Sequence, residues 1–149
     1  CDRRQRQMCI RDRYMIYQAR TLGASAILLI CSLLSQSELE EYQAIATELG
    51  MSALVEAHDE QEVEMALRAE ASIIGVNNRD LKTFTVDINN SARYRKMVPK
   101  EVSFVSESGI KTAEDIAKLL ENGTDAVLIG ETLMRSENKK QALDELRGM

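Results

Sequence analysis

Tryptophan is absent from this chain, and proline and histidine occur once each, as Pro99 and His58. A single imidazole leaves no histidine pair on which to build a metal site within one chain. The three cysteines, Cys1, Cys9 and Cys31, are odd in number and never spaced C-x-x-C. That pattern argues against a disulfide framework or a thiolate zinc site, and for a reducing cytoplasm. No apolar run approaches the roughly 18 residues of a membrane span, so no membrane partner is expected. The first residues, Cys1–Arg13, have neither an apolar stretch nor a small-residue cleavage site and do not read as a secretory signal. Excess positive charge is missing too. The net charge of −5 and pI near 5.0 give no general attraction to nucleic acid or anionic lipid. Arginine is nevertheless concentrated at the start, where Arg3, Arg4, Arg6, Arg11 and Arg13 face only Asp2 and Asp12. Such a tract is either an anion-binding arm or a solvated, mobile terminus, and the second is the expectation.

What is present is enough for one core. With 149 residues, 44% of them hydrophobic, the chain can build one compact domain but not two comfortable ones. From Tyr14 onward a unit recurs: an amphipathic helix, a turn of small residues, then a short continuous apolar run. Leu22-Gly-Ala-Ser-Ala-Ile-Leu-Leu-Ile30 and Asn122-Gly-Thr-Asp-Ala-Val-Leu-Ile-Gly130 are two copies, and Ala69-Glu-Ala-Ser-Ile-Ile-Gly-Val-Asn77 is a looser third. The runs Ala26–Ile30, Ser52–Ala57, Ser72–Asn77, Val102–Ser106 and Ala126–Gly130 are predicted strands. They are rich in Ile, Val and Leu and do not alternate, as expected of parallel strands covered on both faces. Helices are predicted over Ser37–Leu49, with a capping box at Ser35-x-x-Glu38, and over Asp59–Ala69, Asn90–Met97, Thr112–Asn122 and Lys139–Arg147.

Alternating strands and helices mean βαβ units and a parallel sheet. No G-x-G-x-x-G follows the first strand, which weakens a dinucleotide-binding open sheet. Polar residues instead cap strand after strand, at Glu56, Asn77, Glu107 and Gly130-Glu131, a distribution typical of (β/α)8 barrels. Only five strands are legible where a barrel has eight. The expected fold class is therefore α/β, a partial TIM barrel of five parallel strands with outer helices.

The strand ends supply the candidate chemistry. Glu56 lies on the same side of its strand as Leu54; it is either a general acid or base in an apolar lining or a cap for the next helix. Asn77 and Arg79 could hold a substrate hydroxyl and a phosphate, or simply form a polar turn. Ser108 and Gly109, just before a helix, combine a hydroxyl, glycine-freed backbone N–H groups and a helix terminus into an anion cradle. Gly130 and Glu131 end the last strand in the same style, and TIM-barrel phosphate sites commonly follow the last two strands. Glu131 suits a phosphate only through its N–H, with the carboxylate pointing away.

Four segments then resemble indole-3-glycerol-phosphate synthases, in order and with the family's spacing: Leu54-Val-Glu-Ala-His-Asp-Glu60, Ile74-Gly-Val-Asn-Asn-Arg-Asp-Leu-Lys-Thr-Phe84, Val105-Ser-Glu-Ser-Gly-Ile-Lys-Thr112 and Leu128-Ile-Gly-Glu-Thr-Leu-Met-Arg135. Tyr14-x-Ile-Tyr-x-Ala-Arg20 and Ala26-Ile-Leu-Leu-Ile30 match as well. The resemblance implies a TIM barrel that needs no cofactor and no metal. It also implies a phosphorylated small-molecule substrate, 1-(2-carboxyphenylamino)-1-deoxyribulose 5-phosphate, cyclised with loss of carbon dioxide and water in tryptophan biosynthesis. By it, Glu56 is the acid/base glutamate, Asn77 a substrate-positioning amide and Glu107 a further active-site carboxylate. Arg79, Ser108, Gly109, Gly130 and the N–H of Glu131 would surround the phosphate.

The match covers Tyr14 to the end. The family's first three strands, the Glu-x-Lys of the first and the general-acid lysine of the Lys-Asp-Phe that closes the third are not found before it. Residues 1–13 are accordingly expected to be a foreign or disordered tract and residues 14–149 the carboxyl-terminal part of a synthase. This chain alone is expected to be inactive, with an open sheet edge at Ala26–Ile30 that invites self-association. Two rival readings remain at this stage: a neighbouring phosphate-binding barrel enzyme such as phosphoribosylanthranilate isomerase, and a non-catalytic half-barrel that needs a separate amino-terminal half.

Overall fold

The computed structural model describes residues 10–80 and 85–148. The five predicted strands are present: β1 (Ala26–Ile30), β2 (Ser52–Ala57), β3 (Ile73–Asn77), β4 (Ser103–Glu107) and β5 (Ala126–Leu128). They form one sheet in the order β1-β2-β3-β4-β5. β1 runs parallel to β2 from the pair Ala26 and Ser52 to the pair Ile30 and Glu56, and β4 runs parallel to β5 from Val105 and Ala126 to Glu107 and Leu128. Helices α1 (Arg13–Thr21), α2 (Gln36–Glu48), α3 (Glu60–Arg68), α4 (Asn89–Arg95), α5 (Ala113–Glu121), α6 (Glu131–Arg135) and α7 (Lys139–Leu146) fill the connections. The βαβ succession and the continuous apolar strands make this part of a (β/α)8 barrel.

The chain divides into two compact units, Cys1–Ile74 and Gly75–Met149. In the first, α2 begins as the sequence predicts. The Ser35 hydroxyl accepts the Glu38 N–H while the Glu38 carboxylate accepts the Ser35 N–H at 2.8 Å, so two donors of the first turn are satisfied at once. Leu39, Tyr42 and Ala46 then form the buried stripe, one helical turn apart. It packs on β1 and β2, where Leu29, Val55 and Ala57 have no solvent exposure. Burying a leucine or valine such as Leu29 or Val55 contributes about 1.5–3 kcal/mol relative to leaving it exposed. Residues 1–9 of the Arg-rich tract lie outside the described residues. Its last four are built into this unit: the N–H of buried Ile10 donates to Leu28 O, Asp12 caps α1, and Arg13 pairs with Glu41 at 2.6 Å.

In the second unit Phe104, Val76 and Ile110 are buried, as are Tyr94 of α4 and Leu119 of α5. Arg95 on α4 lies 5.5 Å from the centre of the Phe104 ring and donates to Gly123 O and Val98 O, both at 2.6 Å. α5 opens with a reciprocal cap between Thr112 and Asp115.

Element bounds shift by a residue or two, with β4 at Ser103–Glu107 in place of Val102–Ser106, and other details differ from the sequence expectations. β5 stops at Leu128, because its last partner on β4 is Glu107, and the chain turns away at Ile129-Gly130. A 3-10 turn, Cys31–Leu33, follows β1, and the short α6 follows β5. Both new elements are shorter than the window over which a helical apolar period can be read.

Candidate functional site

Asn78, the residue after β3, organises the strand ends of the second unit. Its side chain is 1% exposed, and every polar atom of it is engaged. Nδ2 donates to Ser106 Oγ at 3.0 Å and to the Ser108 carbonyl at 3.1 Å, while Oδ1 accepts the Ser91 N–H at 3.2 Å and the Ser91 hydroxyl at 2.8 Å. A backbone N–H can only donate and a carbonyl can only accept, so the amide has one possible orientation. Ser91 spends its proton on Asn78, so the 2.7 Å contact between Ser91 and Ser106 is donated by Ser106. The three side chains thus close a ring of hydrogen bonds running one way, in which each bond polarises the next. The Asn78 backbone adds to it, its N–H donating to Glu107 O and its C=O accepting the Asp87 N–H.

That network fixes the loop after β4. Ser108 has φ of +66° and Gly109 φ of +80°, two left-handed residues in succession. For Ser108 this conformation is costly, and its carbonyl is tied down by Asn78. At Gly109 a Cβ would collide with the side chain of Val86, so only glycine fits. Val86 is brought there by an antiparallel bridge to Arg79, backed by the Asp80 N–H donating to Thr85 O.

All five residues expected around a phosphate, Arg79, Ser108, Gly109, Gly130 and Glu131, line one cavity of about 610 Å³. Lys111, Thr132 and Arg135 line it too and were not singled out from the sequence. Arg135 could have been found, since it follows Glu131 by four residues at a helical spacing. Thr132 is held by its hydroxyl, which donates to Ile110 O at 2.7 Å.

Two expectations for this cavity need correction. The start of α5 is not open for an anion, because the Asp115 carboxylate accepts the N–H groups of both Lys111 and Thr112, at 3.0 and 3.1 Å. Nor does the Glu131 carboxylate point away. It bridges two arginines, Arg79 at 2.6 Å and Arg135 at 2.9 Å. Two guanidinium groups within reach of one carboxylate pair with it through charge-assisted hydrogen bonds.

Asn77 ends β3, half-buried, and its Oδ1 accepts the Arg79 N–H at 3.0 Å, which sets the direction of the turn that carries Arg79. Glu107 is buried at the end of β4. Glu56 belongs to the first unit, buried at the end of β2 with Oε1 3.0 Å from His58 Nε2. His58 is clasped on its other side by Glu62, and these two carboxylates raise its pKa from 6.5 to about 9. Beside them, burial away from water pushes the Cys31 thiol up to about 12, with Glu62 and Glu56 adding to the effect. Among the described residues no group of three His, Cys, Asp or Glu is placed to hold a metal ion, and no helix is long and apolar enough to cross a membrane.

Comparison with solved structures places the fold. The chain is similar to a mutant tryptophan synthase alpha-subunit from Pyrococcus furiosus (TM-score 0.72, 18% identity, 92% of this chain and 60% of that one). It is also similar to a structure titled native KDPGal (TM-score 0.65, 14% identity, 94% and 68%). The molecule is thus part of a TIM barrel whose strand ends enclose an arginine-lined cavity. A family model for indole-3-glycerol phosphate synthase matches residues 4–146, and the chain belongs to that family. Curated relatives of that name include one from Ruminiclostridium cellulolyticum, 58% identical over 137 residues, 92% of this chain and 53% of the relative. Another, from Leuconostoc mesenteroides, is 50% identical over 92% of this chain and 52% of its own length. The chain spans about half the length of the curated relatives it matches.

Two predictions follow from this geometry. Asn78→Asp keeps the shape but removes both donated bonds and sets a carboxylate oxygen against the Ser108 carbonyl. It should lower the unfolding free energy by about 3 kcal/mol, read from urea denaturation. For His58, a folded pKa above the unfolded value means stabilisation that is complete below pH 6.5 and lost as pH climbs to about 9. The melting temperature should fall across that window, and this part of the fall should disappear in His58→Gln; the Cys31 thiol contributes only at higher pH.

Proposed function

We propose that this chain is the carboxyl-terminal part of an indole-3-glycerol phosphate synthase and supplies part of the site in which 1-(2-carboxyphenylamino)-1-deoxyribulose 5-phosphate closes its indole ring with loss of carbon dioxide and water. The observation that carries the reading is the cavity in which Arg79, Ser108, Gly109, Gly130 and Glu131 meet. A sugar phosphate needs a cationic fork and a tight backbone turn at one end, and this cavity supplies both. In this reading Glu56 exchanges protons with the substrate, Asn77 positions it, and Glu107 is a second active-site carboxylate. Arg79 and the backbone of Ser108, Gly109, Gly130 and Glu131 hold the phosphate. A water-soluble phosphorylated metabolite as substrate fits a cytoplasmic enzyme.

Glu131 gives the phosphate step its particular form. Its carboxylate already occupies the arginine fork, so phosphate enters by displacing it while the Glu131 N–H stays in place. An exposed ion pair is worth at most about 1 kcal/mol, so Glu131→Gln should tighten inorganic phosphate binding by up to about fivefold, and Arg79→Ala should weaken it. NMR titration reads both, with shifts expected at Ser108, Gly109 and Gly130. Shifts confined to residues 10–13 would move the anion site to the Arg-rich tract.

The activity itself is tested by assaying indole-glycerol-phosphate formation, first by this chain alone and then by the chain joined to the amino-terminal part of a curated relative. Negligible turnover alone and restored turnover when joined are expected. In the joined protein Glu56→Gln should cost about 10²–10⁴ in rate, the usual worth of a general acid or base. Turnover indifferent to Glu56→Gln would sink the reading. Near-normal turnover by the chain alone would show that the family's first-half lysines are dispensable.

A further inference from the structure

The charged residues lining the cavity of the second unit are Arg79, Lys111, Arg135 and Glu131. Each oxygen of the one carboxylate faces an arginine, Oε2 lying 2.6 Å from Arg79 and Oε1 2.9 Å from Arg135. Lys111 is left over. It is exposed, and among the described residues its ammonium forms no ion pair. The backbone beneath that ammonium is nevertheless fixed. The Lys111 N–H donates to the Asp115 carboxylate at 3.0 Å, and Asp115 belongs to the reciprocal cap of α5. On the other side, the carbonyl of buried Ile110 accepts the Thr132 hydroxyl at 2.7 Å. The root of the Lys111 side chain is thus held at the cavity wall, and its charged end is free on a flexible four-carbon stem.

Three cations around a single carboxylate are unbalanced in charge and in oxygen count. A carboxylate offers two oxygens, and the two arginines face them both. A phosphate monoester offers three strong acceptor oxygens and up to two negative charges. In the place of Glu131 it can keep an oxygen on each arginine and still present one to a further cation. A lysine ammonium suits that task, being a compact charge with three donors and no need of a planar partner. A merely solvated lysine would be equally exposed, but it would be indifferent to what fills the cavity.

We propose that Lys111 is a third cationic arm of this cavity, one that contacts a bound phosphate and not Glu131, and so favours a three-oxygen anion over a carboxylate. The proposal rests on reading the cavity as the phosphate site and adds a residue that sets its specificity. The two arginines serve whichever anion is present. Lys111 contributes only once Glu131 has been replaced, so its attraction counts in full toward the exchange.

The test is NMR titration of the whole chain with inorganic phosphate. Lys111→Gln should weaken binding by about two- to fivefold, the usual worth of an exposed ion pair. Lys118→Gln removes the same charge from α5, outside the cavity lining, and should change binding little. The Lys111 ε-carbon signal, identified by its loss in Lys111→Gln, should move as phosphate is added. In a Glu131→Gln background the Lys111→Gln effect should persist at full size, since the lysine acts on the ligand. Equal effects of the two lysines would overturn the proposal, leaving Lys111 only a share in the general field. So would an ε-carbon that stays still, or a Lys111 effect that vanishes with Glu131→Gln, which would mean the lysine works by drawing that carboxylate aside. If phosphate binds at Ser108, Gly109 and Gly130 but ignores Lys111→Gln, the phosphate site stands and only this proposal falls. If no shifts occur there in the unaltered chain, both fall. In the protein joined to a relative's amino-terminal part, Lys111→Gln should raise KM by a similar factor and leave kcat unchanged, the pattern of a lost binding contact.

Discussion

A buried amide with four hydrogen bonds has almost no freedom, and in the second unit that amide is Asn78. Its side chain ties the end of β3 to β4, to the start of α4 and to the loop that carries Ser108 and Gly109. The left-handed turn at those two residues, the collision that excludes any Cβ at Gly109, and the bridge from Arg79 to Val86 all depend on the loop staying where Asn78 holds it. A polar network of this kind is effective because it is complete. Removing one member would leave the others buried with nothing to bond, which costs more than each bond contributes. The cavity wall is rigid for that reason.

The first unit solves a similar problem with charge in place of amides. Glu56 lies in β2 between Val55 and Ala57, neither of which has contact with water. An anion in that setting must be paired. Beside it, Glu62 and the α3 cap hold His58.

How much of this could be read from sequence depended on the length of the signal. The five strands are legible as short continuous apolar runs and the long helices by their apolar period, and the capping box at Ser35 and Glu38 is a local rule the structure obeys. The 3-10 turn at Cys31–Leu33 and the five-residue α6 are too short to carry a period. Asn78 was passed over because an asparagine in Asn-Asn-Arg-Asp reads as one more turn former; its burial depends on Ser91 and Ser106, which come from other elements. The five cavity residues were found because each ends a strand or opens the following loop, a position that sequence does reveal. The direction of the Glu131 side chain differs from the expectation that it points away, because it is set by two arginines, one of them 52 residues away.

If the fork binds phosphate as proposed, that carboxylate has a bearing on selectivity. Tethered beside its own binding fork, Glu131 is a competitor at a fixed, high local concentration, which no dilution of the protein can reduce. An incoming anion gains only the difference between its own hold on Arg79 and Arg135 and the hold that Glu131 already has. Chloride or a metabolite carrying a single carboxylate offers little beyond what is there, so the exchange brings it almost nothing. A phosphate monoester carries more charge and three acceptor oxygens, and it can win. On that proposal the fork sets a threshold that excludes weak anions by being already filled.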